Sequence, residues 1–249
     1  MQIKEIKQRF VLLKNAVEKN QITHNACTYM RLYRSISWLE KGLAIIRQNA
    51  AYAETEDEKR VDNDLSTVCL WLAFNALYGQ WTLFDVDDES EADDEANRSS
   101  GDAMPEHKAI NEFLEIIFEQ DKKARLTTFL ENNQSDIREL FSSRYMSVGF
   151  WKARYKNPSH DKTDRAADEY DRLLKDGHHQ TVLSKLIKRI YLLRCQLIHG
   201  ASTYGSIVNR SNVKTCEALL AEFVPIVFCI MMDDHIDHDY GKLCYPPLA

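Results

Sequence analysis

The 249-residue sequence predicts an all-α protein, and three observations carry that prediction. Only 8 glycines and 5 prolines punctuate the chain, too few for the frequent tight turns of a β-sandwich or barrel. The long intervals between them place apolar residues at three- and four-residue steps, the period of an amphipathic helix. With 44% apolar and 10% aromatic residues, the chain can also fill a sizeable core.

Taken in order, Ile3, Ile6, Phe10, Leu13 and Val17 mark a first helix ending near Asn20. Thr23 or Asn25 offers the cap of a second, from Ala26 to about Ala53, with Tyr29, Leu32, Tyr33, Ile36, Leu39, Leu43 and Ile46 on one stripe. A third runs from Glu56 to Trp81. Its second half, VCLWLAFNALYGQW, is apolar on nearly every side and belongs at the centre of the fold. Asn75 within it must find a partner, either across a helix interface or in support of a site. Residues 85–104 read as a solvated acidic loop ending at Pro105, a favoured first residue of a helix. Shorter helices follow over Glu106–Glu119, Lys122–Asn132, Asp136 to about Tyr155, and Asp164–Lys175, with breaks at Asn157-Pro158-Ser159 and Asp176-Gly177. Thr181–His199 and Val213–Met232 are the last two, and the tail GKLCYPPLA is too rich in proline to extend them. The expected organisation is one domain over 1–249. Its long helices, before 82 and after 180, form a bundle, and 105–177 is a helical insertion packed on its side.

Charges in every turn of MQIKEIKQRFVLLKNAVEKN exclude a secretory leader, and the longest apolar run, Phe223–Met232, is about half the ~20 residues of a bilayer crossing. The six cysteines, Cys27, Cys69, Cys195, Cys216, Cys229 and Cys244, lie far apart with no CxxC pair. They read as thiols of a reducing compartment, so a cytoplasmic protein without disulfides is expected. Net charge is −6, but Asp85–Asp102 holds nine acids against Arg98. That segment alone carries −8, leaving +2 on the rest of the chain. A polyanionic partner is therefore compatible with the composition.

The strongest candidate for chemistry is RCQLIHG, Arg194–Gly200, at the end of the helix whose core stripe is Leu183, Leu186, Ile187, Ile190, Leu193 and Leu197. In a regular helix Arg194 and His199 lie about 140° apart. A left-handed Gly200 would let His199 leave the helical path and fold back toward Arg194; alternatively, the two residues meet their counterparts across a symmetric dimer. The plainer reading is a helix C-terminus whose cations offset the macrodipole, with His199 capping carbonyls.

Arginine, four intervening residues and then His-Gly, on the penultimate long helix of an all-α bundle, resembles the R-x4-6-H signature of HEPN domains. VCLWLAFNALYG and the stretch HGASTYGSIVNRSNVKTCEALLAEFVPIVFCIMMDD with its YGKLCYP tail look like standalone prokaryotic members, covering the two ends of the chain. The resemblance implies a helical homodimer whose motifs converge in a cleft and cleave RNA without metal or cofactor, leaving a 2′,3′-cyclic phosphate. It also implies work beside an antitoxin or effector partner, in toxin or antiphage defence. Arg194 and His199 would be catalytic, with Gln196, Asn75 and Tyr204 in support. Cys195 stands where active members often carry Asn, and Ala201 where adenylylated members carry Tyr. The rival that this leaves is a catalytically silent nucleic-acid- or nucleotide-binding module, or one that assembles with a partner protein.

Lys188 and Arg189 form the wetter face of the motif helix, and Arg144, Lys152, Arg154 and Lys156 stand among Tyr145, Phe150, Trp151 and Tyr155 with no acid from 144 to 157. This is an RNA-binding pattern, in which bases stack on rings and phosphates meet cations; the plainer alternative puts Phe150 and Trp151 in the core. The tail DDHIDHDY, Asp233–Tyr240, carries metal-ligand types but reads more simply as a solvated helix end, so no metal is expected.

Overall fold

The computed structural model describes residues 3–54, 61–80, 106–160, 165–233 and 235–245. The fold is all-α. Its helices are α1 (Ile3–Glu18), α2 (Ala26–Glu54), α3 (Asn63–Tyr78), α4 (Glu106–Gln120), α5 (Arg125–Asn132), α6 (Gln134–Ser142), α7 (Val148–Lys156), α8 (Ala166–Lys175), α9 (His179–Ile198) and α10 (Arg210–Asp233). Among the described residues the only β pairing is one antiparallel bridge, Gln80 with Leu243. The acidic segment 85–104 lies outside the described residues.

Asn25 is the cap of α2, its carboxamide oxygen accepting from the Thr28 amide at 3.0 Å. The single helix expected over Asp136–Tyr155 is instead two, α6 and α7, separated by one 3-10 turn at Arg144–Met146. Ser147 explains the restart: it is extended and its hydroxyl accepts from the Phe150 amide at 3.2 Å, capping α7.

α3 is the central helix, as its all-round apolar sequence requires. Trp71, Phe74, Leu77 and Tyr78 are fully buried. Phe74 meets Phe223 of α10 at 5.2 Å between ring centres and Phe113 of α4 at 6.1 Å. Because α3 needs cover on every side, α2 lies close against it, and a Cβ on Gly42 would stand 2.9 Å from Leu70 Cδ2. The face that α2 buries is consequently wider than its apolar stripe, of which Leu32, Ile36 and Leu39 are buried and Tyr29, Leu43 and Ile46 partly buried. Thr28, Arg31, Ser35, Gly42 and Asn49 go inside with Leu32, Ile36, Leu39 and Ile45, while Tyr33 is half exposed. Residues of α4, α5, α6 and α8 share one continuous core with α1, α3, α9 and α10.

α10 is the one helix among the described residues long and apolar enough to cross a membrane. It carries a window of mean hydropathy 1.9, although the run Phe223–Met232 alone is too short. That window is 72% buried against other helices, which gives its apolar surface a partner inside the fold.

Three charged side chains largely withdrawn from solvent sit at helix ends and junctions. Arg31, fully buried, donates to the carbonyls of Leu77, Gly79, Tyr240, Gly241 and Lys242, so one guanidinium satisfies the end of α3 and ties the C-terminal tail to it. Asp233 receives Arg9, Lys123 and Arg125, with only 9% of its side chain exposed. The helix end at Asp233 is therefore tied down rather than solvated. Burial pushes the Asp233 carboxyl up, and the hydrogen bond and charge of Arg125 with the charge of Arg9 outweigh it, holding the group below the usual range. Glu217 of α10 accepts from Asn63 Nδ2 at 2.7 Å and from the Ser66 hydroxyl, yet burial raises its pKa overall.

Candidate functional site

α9 packs on α3: Tyr191 meets Trp71 at 5.8 Å between ring centres, and Gly205, in the loop beyond the end of α9, donates its amide to Asp64 Oδ2 at 2.8 Å. Arg194 lies one turn past Tyr191 and on the same face, so its guanidinium sits 5.5 Å from the Tyr191 ring centre and reaches the junction of the α3 C-terminus with the α4 N-terminus. There Arg194 Nη1 is 3.6 Å from Glu106 Oε2. The two Glu106 oxygens also accept from the Tyr78 hydroxyl at 2.7 Å and the Tyr191 hydroxyl at 3.0 Å. One carboxylate is thus the shared acceptor of two phenols and the counter-ion of the motif arginine. Burial lowers the pKa of Arg194 and the Glu106 charge raises it, with a net upward shift that keeps the guanidinium charged. Burial followed by the same carboxylate raises both phenols well above the ordinary tyrosine range.

This cluster opens into a pocket of about 410 Å3 lined by Arg194, Glu106, Asn75, Gly79, Arg34 and the tail residues Leu243–Tyr245. Arg34 is held by the carbonyls of Cys244, at 2.7 Å, and Tyr245. Two guanidiniums, one carboxamide and one carboxylate therefore meet in a partly open cavity. That set can receive a phosphate through charge-assisted, bidentate contacts if it displaces or shares the Glu106 contact.

His199 is placed elsewhere. Gly200 is left-handed at φ +69°, as its sequence position predicts. His199 nevertheless stays close to helical geometry (φ −88°, ψ 11°), and its amide donates to the Cys195 carbonyl at 3.0 Å. The ring is exposed, does not line the Arg194 pocket and makes no hydrogen bond to any described residue. The fold-back toward Arg194 is not made, because the left-handed turn begins one residue later and carries the chain, not the imidazole, around the helix end.

The supporting residues divide. Asn75 lines the pocket, and its carboxamide bonds no described residue, which fits the second of its two expected roles, support of a site, better than a bond across a helix interface. Gln196 is committed to bracing: its amide donates to the Tyr145 carbonyl at 3.1 Å and its oxygen accepts from Asn209 at 3.3 Å. It is not a hydrogen-bond partner of Arg194, which instead contacts Cys195 Sγ at 3.9 Å. Tyr204 is 72% exposed and bonded to Asp62 at the other end of α3, about 24 Å from the pocket along a 1.5 Å rise per residue.

Of the cations expected to meet RNA, Arg189 donates to the Met146 carbonyl at 2.7 Å and lies 4.4 Å over the Phe141 ring. It is a packing cation. Arg144 is 5.1 Å from the centre of the Tyr145 ring and donates to its hydroxyl. Lys152, Lys156 and Lys188 are exposed, as is Arg154, which also donates to the His160 carbonyl at 3.1 Å. Among the described residues no group of three or more His, Cys, Asp or Glu side chains gathers as a metal site.

Glu106, Tyr78, Tyr191 and Arg34 were not singled out from the sequence. Glu106 reads as an ordinary first-turn acid and the tyrosines as core aromatics. Only the three-residue spacing of Tyr191 and Arg194 signals a shared face. Compared with family models, curated proteins and solved structures, the chain matches none significantly.

Proposed function

We propose that this chain is a metal-independent endoribonuclease of the HEPN type, acting as a homodimer in the cytoplasm in a toxin or antiphage-defence role. The observation that carries the reading is the half-buried Arg194 guanidinium in a pocket mouth beside Arg34 and Asn75, on the helix that ends in the exposed His199. The resemblance of RCQLIHG to the R-x4-6-H signature supplies the reaction. The RNA 2′-hydroxyl would give its proton to His199, form a 2′-O–P bond and break the P–O5′ bond, while the leaving 5′-oxygen takes a proton. Arg194 would offset the charge that builds on the phosphate. Arg194 and His199 do not converge within one chain. The proposed dimer would bring the arginine of one copy near the histidine of its partner.

The test is a gel assay of purified protein with mixed RNA in excess EDTA, beside Arg194→Ala and His199→Ala, with molar mass from light scattering. Cleavage lost in both variants, cyclic-phosphate ends and a dimer are the expected results. No cleavage at any concentration, with RNA binding intact, favours the second reading, a silent RNA- or nucleotide-binding module. One observation already leans that way: Arg194 is engaged by Glu106 and sits beside Cys195.

A further inference from the structure

We propose that α7 is a docking rail for single-stranded RNA, with Trp151 and Tyr155 stacking bases and Lys152 and Lys156 meeting phosphates, and that it is fixed to the motif helix through the Tyr145 carbonyl. The inference rests on the RNA reading above and names the form of RNA.

Trp151 and Tyr155 are four residues apart on α7 and share a face. Trp151 is 39% exposed and Tyr155 is 92% exposed, whereas Phe150 is buried and anchors the helix. The Tyr155 ring, left this open on a nine-residue helix, contributes little to folding and offers its π-face to a planar partner, while Trp151 is held by Tyr145 at 6.2 Å and Phe150 at 5.3 Å between ring centres and offers only its exposed side. Lys152 and Lys156 repeat the spacing one position further round, so a cationic stripe adjoins the aromatic one. From 144 to 160 the sequence contains no acid. That complements a polyanion and argues against a protein partner needing both signs.

The rail is also tied to the candidate site. The Trp151 indole N–H donates to the Tyr145 carbonyl at 2.9 Å, and the Gln196 amide of α9 donates to the same oxygen at 3.1 Å. Gln196 lies between Arg194 and His199. A strand stacked on Trp151 is therefore held one shared hydrogen-bond acceptor away from the motif. Duplex RNA keeps its bases stacked on one another and offers these rings no face, so the arrangement selects single strands.

The experiment uses the full chain and a fluorescein-labelled, fully 2′-O-methylated 12-mer of uridine, which cannot be cleaved by 2′-hydroxyl attack. Anisotropy should show binding that Tyr155→Ala weakens about 5- to 150-fold, the range for losing one base–aromatic stack, and that Tyr155→Phe restores. The Lys152→Gln/Lys156→Gln pair should reduce the slope of log affinity against log salt by about 1.4. Equal binding by wild type and Tyr155→Ala would overturn the proposal, as would a duplex of equal length bound as tightly. A change of molar mass in Tyr155→Ala would also overturn it, by assigning the face to a second copy of the chain. Cleavage of unmodified RNA that needs His199 but ignores Tyr155 would sink the rail and keep the nuclease. Tyr155-dependent binding with no cleavage would do the reverse.

Discussion

Removing the Glu106 carboxylate should destabilise the fold in a graded way that depends on what replaces it. The carboxylate serves the buried Tyr78 phenol at 2.7 Å and the half-buried Tyr191 phenol at 3.0 Å, and faces Arg194 at 3.6 Å, with 25% and 19% of the acid and base side chains exposed. At that separation and an effective dielectric near 20, the gross attraction is about 4–5 kcal/mol, and desolvation offsets much of it. Glu106→Ala strands Arg194 and both hydroxyls, so about 3–5 kcal/mol should be lost. Glu106→Gln keeps an acceptor for one phenol and a donor for the other while losing only the charge, and should cost about 1–3 kcal/mol. Urea midpoints with unchanged slopes measure both, and Tyr78→Phe and Tyr191→Phe should each cost about 1 kcal/mol. A double-mutant cycle with Arg194→Ala should show coupling of at least ~1 kcal/mol. Alanine and glutamine variants that are equal, each within about 0.5 kcal/mol of wild type, would refute the reasoning, because a carboxylate with three such partners cannot be idle.

Two buried carboxylates should give opposite pH signatures. Burial raises Glu217, so its folded pKa exceeds its unfolded one, and its ionisation penalises the fold as pH rises from the unfolded value through the raised one; Glu217→Gln should flatten that fall in thermal melts taken from pH 4 upward. Asp233 is lowered overall, so its contribution is present above the ordinary aspartate pKa and is lost as pH falls through the depressed one. Asp233→Asn should cost about 2–4 kcal/mol near neutrality and remove that acid sensitivity.

The helices were legible where apolar spacing dominates. α1, α9 and α10 follow from the three- and four-residue pattern, and α3 is recognisable as central because its apolar half is apolar on nearly every side, although it starts at Asn63 behind the Asp62 cap and ends at Tyr78 rather than running from Glu56 to Trp81. The buried face of α2 was legible only in part: Leu32, Ile36 and Leu39 follow from the stripe, whereas Arg31, Ser35 and Asn49 are residue types that mostly face water. Arg31 goes inside because five carbonyls at the α3 end and the tail need a donor there, a demand created only when three distant segments meet. The split between α6 and α7 was partly readable, because Ser147 before an apolar pair is a cap signal that helical periodicity overrode. At the candidate site, Arg194 stood out by motif, and its Glu106 partner did not. That contact joins residues 88 positions apart, and nothing local to Glu106 distinguishes it from any acid opening a helix.

The pocket beside Arg194 is closed by Arg34 and by tail residues more than 160 positions beyond Asn75, and the Arg31 guanidinium stitches that tail to the end of α3. Such a cavity has no local existence. It forms only when the first third of the chain and its last residues are already in register, so its presence reports whether the whole fold is complete. Partial unfolding that loosens the tail would empty the pocket of its wall while most of the helical signal persists.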